Sequence, residues 1–383
     1  FNQCTNLESL NVLMDKKKIR AYIGFDCTAQ SLHVGSLLQI MCLRLLQKHG
    51  HQPIILLGGG TTRIGDPSGK DKTRKILTEK EIEKNIKNIK KVFFIFLDNK
   101  NSKTLPIYLI NYKWLGKLNY IKFLREIGKH FTINKMLSFD SVKLRLDREQ
   151  SLSYMEFNYM ILQAYDFLEL NKTKNCLMQI GGSDQWGNIV NGVELVKRYS
   201  SKQVYGLTTP LITLASGAKM GKTEKGAVWL DKKLLSSYDY WQFWRNTDDR
   251  DVVKFLKMFT DKDVSEIESI KDKNINDLKT LLANEATTLL HGKAAAVKAS
   301  ETAKKTFAGG SGDELPVIKI KKDQINNGLN IIDLSIKTNL FSSKSEIRRT
   351  IKNSGLKVNN STFTDESLII NISHFENEVL KLS

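Results

Sequence analysis

The sequence is poor in the residues that build disulfide frameworks, metal sites and membrane spans. Its 383 residues include only 4 cysteines, none of them in a C-x-x-C pair. A chain this long buries a large core without cross-links, so free thiols in a reducing, cytoplasmic compartment are expected. The 6 histidines show no zinc-ligand spacing, so no dedicated metal site is expected. No apolar run reaches the roughly 20 residues that span a bilayer, which argues against a membrane partner.

The charge is strongly unbalanced. The chain has 59 Lys and Arg against 41 Asp and Glu, a formal net charge of +18. A positive field favours nucleotides or nucleic acid as partners, although a lysine-rich composition also produces one without any such partner. The first residue is Phe1 and not Met, so we expect the natural chain to start earlier, and a targeting signal stays an open question.

Strand-like and helix-like segments alternate in the first half of the chain. Apolar runs that end near glycines predict strands at 18–24, 51–57 and 175–180. Helical periodicity predicts helices at 32–48, 78–94 and 154–168. This alternation predicts an α/β fold with a parallel sheet, which binds ligands at the carboxyl ends of its strands.

The character of the sequence changes after about residue 231. The pattern predicts long helices at 236–259 and 275–307, followed by a glycine-rich break and a small mixed segment. We therefore predict an α/β domain at 1–231, a helical domain at 232–308, a linker at 309–316 and a small α+β domain at 317–383.

Two loops in the first half are suited to phosphate. Gly24 lets a ligand approach the backbone, and the helix that follows His33 directs free N–H groups at the same loop. The second loop, 58–74, does not have the Walker A spacing, but it places Asp66 near Lys70 and Arg74. An acid suited to an ammonium beside cations suited to phosphate is unusual, although a solvated turn alone would explain it.

Three later segments add polar groups. Tyr159, Gln163 and Asp166 are spaced by four and three on a predicted helix, so they share one otherwise apolar face. A strand end at 179–186 carries an acid suited to a ribose diol. Two lysines three residues apart, Lys219 and Lys222, surround a glycine and could fold over a triphosphate.

Taken together, these segments resemble the bacterial-type tyrosyl-tRNA synthetases, a family of class I aminoacyl-tRNA synthetases. The HIGH and KMSKS signatures of the class read HVGS at 33–36 and KMGKT at 219–223, which begin 186 residues apart. YIGFD-x-TA-x-SLHVG, GDPSGK, FNYMILQAYDF and QIGGSDQWGN are also similar to strings of this family. The resemblance runs from about Lys18 to the last residues and implies a Rossmann-like catalytic domain.

The resemblance implies an ATP-dependent tyrosine–tRNA ligase. Its partners would be L-tyrosine, ATP that carries its own Mg²⁺, and tRNA(Tyr). Matching positions imply that tyrosine is bound by Tyr22, Asp66, Tyr159, Gln163, Asp166, Gln179 and Gln185. They imply that the nucleotide is bound by Gly24, Asp26, His33, Gly35, Ser36, Gly182, Asp184 and Lys222. They imply that the phosphates, and so the catalysis, depend on Thr28, His33, Lys70, Arg74, Lys219, Lys222 and Thr223.

Two positions depart from the family pattern. Ser36 stands where the family has the second His of HIGH, a residue that usually contacts the nucleotide's ribose, so we expect weaker or water-mediated ATP binding. Gly221 stands where KMSKS has Ser, a form that is common in this family. The resemblance also implies a homodimer with its interface around 113–143.

The C-terminal segment resembles a small RNA-binding domain that is shared with a ribosomal protein. Lys344, Arg348 and Lys352 are spaced by four and Arg349 adjoins them, so a predicted helix would present a basic face to a phosphate backbone.

Three rival interpretations remain. A tryptophanyl-tRNA synthetase would share the fold and motif order, but Tyr22 with Asp166 suits a phenol hydroxyl better than an indole. An RNA-binding relative without catalysis would be favoured by the loss of Asp66 or a signature lysine, and none of these is lost. A nucleotidylyltransferase would need neither a tyrosine pocket nor a C-terminal RNA module.

Overall fold

A computed structural model describes most of the chain. The described residues are 1–68, 77–217, 220–223, 226–307, 317–320, 322–326, 328–338, 340–341, 343–359, 361–376 and 378–382. The predicted linker at 309–316 lies outside them. Among the described residues, no helix is long and apolar enough to cross a membrane.

A six-stranded sheet forms the centre of the N-terminal half. Its strands are β1 (Gln3–Cys4), β2 (Arg20–Asp26), β3 (Gln52–Gly58), β4 (Ile107–Ile110), β5 (Cys176–Gly182) and β6 (Tyr205–Thr209). The order is β1-β6-β5-β2-β3-β4, and every pairing is parallel except that of β1 with β6. This confirms the prediction of a mainly parallel α/β sheet.

The topology makes a cleft at the carboxyl edge of this sheet. From β2 the chain continues outward through β3 and β4, and it later fills the other side of β2 with β5 and β6. This reversal is a topological switch point, where open α/β sheets bind ligands. The register places Asp26 opposite Gly58, and Tyr22 opposite Gln179.

Helices cover the two faces of the sheet. They are α1 (Leu7–Lys16), α2 (Leu37–Lys48), α3 (Thr61–Ile64), α4 (Glu79–Phe96), α5 (Tyr112–Leu115), α6 (Tyr120–Glu126), α7 (Ile133–Leu137), α8 (Asp140–Asp147), α9 (Tyr154–Lys174) and α10 (Trp186–Ser200). Short 3₁₀ turns lie at Val34–Ser36, Gly128–His130 and Ser183–Gln185. Capping boxes at Thr78 and Ser153 fix where α4 and α9 begin, because each hydroxyl and the Glu three residues later satisfy each other's free backbone N–H.

The helical region that follows contains breaks that the periodicity did not predict. Its helices are α11 (Ser237–Arg245), α12 (Asp249–Phe259), α13 (Val264–Ile270), α14 (Ile275–His291) and α15 (Lys293–Phe307). The prediction of one helix at 236–259 was wrong, because Asp248 caps a new helix by accepting from the Arg250 N–H at 3.0 Å. The prediction of one helix at 275–307 was also wrong, because Gly292 takes a φ of +88° and ends α14.

The apolar core of the sheet continues into this helical region. One cluster of buried side chains runs from Leu10 to Ala303 and includes Trp244 and Phe259. A half-buried ion pair between the Arg44 guanidinium and Asp261 also joins α2 to the helical region. The boundary at 231/232 stays a prediction.

The C-terminal segment has an apolar cluster of its own. Its elements are α16 (Lys322–Asn326), β9 (Leu329–Asn330), α17 (Ile331–Lys337), α18 (Lys344–Lys352), β10 (Lys357–Val358), β11 (Ser361–Thr362), β12 (Ile369–Ile370) and a 3₁₀ turn at Ile372–His374. Ile331, Ile347, Ile351 and Leu356 are fully buried at its centre. The helix predicted around 341–352 is confirmed as α18.

Candidate active site

A cavity of about 310 Å³ opens at the carboxyl edge of the sheet. It collects most of the positions that the sequence indicated. Those that line it are Tyr22, Gly24, Asp26, Gly35, Ser36, Asp66, Tyr159, Gln163, Asp166, Gln179, Gly182, Asp184 and Gln185. The shared helical face of Tyr159, Gln163 and Asp166 is therefore a wall of this cavity.

A buried polar pair closes one end of the cavity. The Tyr22 hydroxyl is buried and has no protein hydrogen-bond partner among the described residues. Asp166 is 2% exposed. Burial raises its pKa to about 7, and burial together with the charge of Asp166 raises the pKa of Tyr22. This end can therefore hold one hydroxyl between a phenol and a carboxylate.

Two side chains that the sequence reasoning missed hold Asp166 in place. Asn111 Nδ2 donates to Asp166 Oδ2 at 2.8 Å, and Trp114 Nε1 donates to Oδ1 at 2.7 Å. Asn111 is itself fixed, because its Oδ1 accepts from the Gly60 N–H at 2.6 Å. Asn111 directly follows β4 at the same edge of the sheet, and the sequence pattern did not predict that strand.

A second carboxylate lies on another wall. Asp66 Oδ1 accepts from the Ser68 N–H at 2.9 Å, and Oδ2 accepts from Gln185 Nε2 at 2.9 Å. Asn188 Nδ2 in turn donates to Gln185 Oε1 at 3.1 Å. Gln185 thus orients Asp66, which leaves a fixed negative charge facing the cavity and suited to an ammonium.

The third carboxylate, Asp26, links two elements. It accepts from Thr61 Oγ1 at 2.7 Å and from the Tyr159 hydroxyl at 3.0 Å. Tyr159 is therefore oriented by Asp26 as well as by its helix. Gln179 Oε1 is buried and has no protein partner among the described residues, and its strand position opposite Tyr22 turns both side chains to the same face of the sheet.

The open end of the cavity is formed by Gly182 and Asp184. A Cβ on Gly182 would lie 2.6 Å from Asp184 Oδ1, so the glycine leaves room for this carboxylate beside the strand end. Asp184 is exposed within the 3₁₀ turn Ser183–Gln185. An oriented acceptor at a parallel strand end suits a ribose hydroxyl.

The two signature motifs touch each other. His33 Nδ1 accepts from the Gly35 N–H at 3.0 Å, and a Cβ on Gly221 would lie 2.7 Å from the same Nδ1. Gly221 also has a φ of +125°. Glycine in place of the KMSKS serine therefore fits both the backbone conformation and the packing against His33.

Several predicted phosphate-binding residues are not placed in this cavity. Thr28 is exposed in the loop after β2 and does not line it. Lys222 and Thr223 form β7 (Lys222–Thr223), which pairs with β8 (Gly226–Ala227). Lys70, Arg74 and Lys219 lie outside the described residues. In the described part of the chain, no cluster of three His, Cys, Asp or Glu side chains could hold a metal ion.

The predicted RNA-binding residues share an exposed helix. The side chains of Lys344, Arg348, Arg349 and Lys352 project from α18 and are exposed. Glu366 lies 3.4 Å from Arg348 and 3.6 Å from Lys352. The basic face is therefore partly neutralised by this carboxylate.

Comparisons with known proteins identify the family of this chain. Residues 14–308 match the family model described as tRNA synthetases class I (W and Y). The chain is 71% identical to the tyrosine–tRNA ligase of Pelagibacter ubique and 52% identical to that of Rickettsia bellii, covering 100% of this chain and 94% of each relative. A solved C-terminally truncated mitochondrial tyrosyl-tRNA synthetase of Aspergillus nidulans superposes with a TM-score of 0.71 at 30% identity, over 79% of this chain and 89% of that one.

The family model covers both the tryptophan and the tyrosine enzymes, and the named relatives decide between them. The full-length relatives are tyrosine–tRNA ligases, which agrees with the paired hydroxyl and carboxylate of Tyr22 and Asp166. The chain therefore belongs to the class I tRNA synthetases and, within them, to the tyrosine–tRNA ligases.

Proposed function

We propose that this chain activates L-tyrosine with ATP and transfers it to tRNA(Tyr). The observation that carries the proposal is the order of the polar groups along one cavity. A hydroxyl site at Tyr22 and Asp166 closes it, an oriented ammonium site at Asp66 lies on its wall, and a ribose acceptor at Asp184 stands at its open end. A free tyrosine beside a nucleotide matches this sequence of groups.

The tyrosine carboxylate attacks the α-phosphorus of ATP, the bond to the bridging oxygen breaks, and pyrophosphate leaves. The carboxylate is already a nucleophile, so no protein base is required and the protein's task is to position the reactants and neutralise charge. Asp66, Tyr159 and Gln163 hold the ammonium end of tyrosine, and Gln179 and Gln185 act around the tyrosine and its carboxylate. A ribose hydroxyl of the tRNA then attacks the mixed anhydride and releases AMP.

The phosphates are assigned to the signature segments. His33 caps the helical turn Val34–Ser36 in the first signature motif, where it lies against Gly221 of the second. We assign Thr28, Lys70, Arg74, Lys219, Lys222 and Thr223 to the same task. Magnesium enters as part of the ATP substrate, coordinated by phosphate oxygens, which is the usual way this ion binds in such enzymes.

A direct test is the charging of a tRNA(Tyr) transcript with labelled tyrosine and ATP. We expect acid-precipitable labelled tyrosine on the transcript, in an amount that depends on both ATP and the transcript. Binding of the transcript without charging, from protein that also shows no pyrophosphate exchange, would instead support an RNA-binding relative that has lost catalysis.

We further propose that the protein is a cytoplasmic homodimer. The segment from 112 to 154 exposes many large apolar side chains, namely Tyr112, Tyr120, Ile121, Leu124, Ile133, Leu137, Leu144, Leu146 and Tyr154. Such a concentration is typical of a surface that a second copy covers. Ile121→Asp should shift the mass in sedimentation from dimer to monomer, whereas Val297→Asp, at an exposed site elsewhere, should not. An unchanged mass for Ile121→Asp would contradict this surface.

The domain boundaries and the RNA-binding face complete the proposal. We assign residues 232–308 to the anticodon side of the tRNA and residues 317–383 to a further contact with it. The exposed row of Lys344, Arg348, Arg349 and Lys352 supports the second assignment, because cations spaced by one helical turn can follow a phosphate backbone.

A further inference from the structure

A buried carboxylate of the helical region contacts the segment that leads into the second signature motif. Asp251 lies in the first turn of α12 and is 4% exposed. Its Oδ2 accepts from the Ala215 N–H at 2.6 Å, and Ala215 comes shortly before the KMGKT motif at 219–223. A buried carboxylate is costly unless charge-assisted hydrogen bonds replace the water that it loses. The contact with Ala215 is one such bond, so it holds this backbone segment firmly.

Lys254 adds a second contact from the same face of α12. Its Nζ donates to the Thr213 carbonyl at 3.2 Å and lies 3.3 Å from Asp251 Oδ1. The segment 213–215 therefore gives one N–H and one carbonyl to side chains of a single helix. This helix is a rigid support, because its apolar face is buried in the core that the helical region shares with the sheet.

The chain on either side of the second motif is hydrogen-bonded as well. Before the motif, the Met220 N–H donates to the Ile212 carbonyl at 3.1 Å. After it, the Val228 N–H donates to the Gly221 carbonyl at 3.1 Å, and the Val34 N–H donates to the Val228 carbonyl at 2.9 Å. The second motif is therefore supported from one side by the first motif and from the other side by the segment that α12 holds.

We propose that Asp251 is a positioning residue for the activation step, which fixes the Ala215 N–H and so the segment that presents the second signature motif to the phosphates of ATP. This inference rests on the proposed function, because it concerns the same phosphate-binding motif. Stabilisation of charge that develops on the phosphates depends on groups that are placed in advance. A misplacement of about 1 Å by a remote substitution can cost roughly 100-fold in rate. Asp251 does not line the cavity, so its loss should change kcat and leave tyrosine binding unaltered.

The test is Asp251→Ala in tyrosine-dependent pyrophosphate exchange, with the Kd for tyrosine measured separately by equilibrium dialysis. We expect kcat to fall at least about tenfold, while the Kd for tyrosine stays within about twofold of the wild-type value. Asp251→Asn keeps an acceptor oxygen for the Ala215 N–H, so its kcat should lie within roughly threefold of the wild type. A purely structural role for Asp251 would instead weaken tyrosine binding together with kcat.

Asp249→Ala is the matched control. It makes the same substitution in the same turn of α12, at an exposed carboxylate that pairs with Lys279 of α14. Its kcat should equal that of the wild type, and a fall that matches Asp251→Ala would overturn the inference as a general effect on the helix. An unchanged kcat in Asp251→Ala, or a Kd for tyrosine that rises as kcat falls, would also overturn it.

A second variant decides the matter if Asp251→Ala does not fold. Lys254→Met, at a half-exposed side chain, removes the contact with the Thr213 carbonyl and leaves Asp251 in place. Its kcat should fall roughly threefold with an unaltered Kd for tyrosine, and an unchanged kcat would overturn the inference. If the wild-type chain shows no tyrosine-dependent exchange, the proposed function itself fails.

Discussion

Replacement of Asp166 by Asn tests the assignment of the hydroxyl site most sharply. In the folded chain both carboxylate oxygens are occupied by donors, one from Asn111 and one from Trp114. Asn offers a single acceptor oxygen and no charge. The substrate hydroxyl then loses a charged hydrogen-bond acceptor, while the volume of the side chain is kept.

The size of the effect follows from which contacts depend on the ligand. An Asn111 or Trp114 donor left unpaired by the substitution is unpaired with and without tyrosine, so its cost cancels in binding. The lost hydrogen bond to a charged group is worth about 1.5–3 kcal/mol. We therefore expect the Kd for tyrosine to rise roughly 10- to 150-fold, since every 1.4 kcal/mol is about tenfold. Affinity for ATP should change by less than about twofold.

The assay is equilibrium dialysis with labelled tyrosine, combined with the KM for ATP in pyrophosphate exchange. Asp15→Asn on the exposed face of α1 makes the same chemical change away from the cavity and should leave both values unaltered. A loss of ATP affinity in Asp166→Asn with normal tyrosine binding would refute the placement of the phenol.

Three further predictions follow from the same geometry. Burial raises the pKa of Asp166 to about 7, so at pH 6 most of the protein carries a neutral carboxyl group that must lose its proton before it can accept from the phenol. The Kd for tyrosine should therefore be about tenfold weaker at pH 6 than at pH 8, and a flat pH profile would count against this. Gly35→Ala would put a Cβ 2.6 Å from the imidazole of the first signature motif; pyrophosphate exchange should fall at least about tenfold with the melting temperature retained, whereas Gly128→Ala, with an ordinary 3.5 Å contact, should match the wild type. Glu366→Gln removes the carboxylate beside Arg348 and Lys352 of α18 and should tighten tRNA binding about two- to tenfold in filter assays at low salt; equal or weaker binding would argue against RNA on this face.

The sequence indicated the residues that line the cavity better than the residues that hold them in place. Tyr159, Gln163 and Asp166 could be found because their spacing fits one helical face, and β2, β3 and β5 could be found because each is an apolar run that ends near glycine. Asn111 and Trp114 could not be connected to Asp166, because that contact joins residues more than 50 positions apart and depends on how β4 packs beside β3.

Helix boundaries failed where local backbone geometry overrode periodicity. The apolar pattern continues through residue 292, but a glycine there takes a left-handed φ and ends α14.

The buried ion pair between Arg145 and Glu156 was also not predictable from the sequence. Each of these residues is ordinary on a solvated helix, and only the fold brings the two together.

The central claim is that the closed end of the cavity recognises the phenol of tyrosine during activation by ATP. It is tested most directly by amino-acid-dependent pyrophosphate exchange, without tRNA, in the presence of tyrosine, tryptophan or phenylalanine. We predict exchange with tyrosine and none above background with the other two. Exchange with tryptophan, or no exchange with any of them from folded protein, would contradict the roles given to Tyr22 and Asp166.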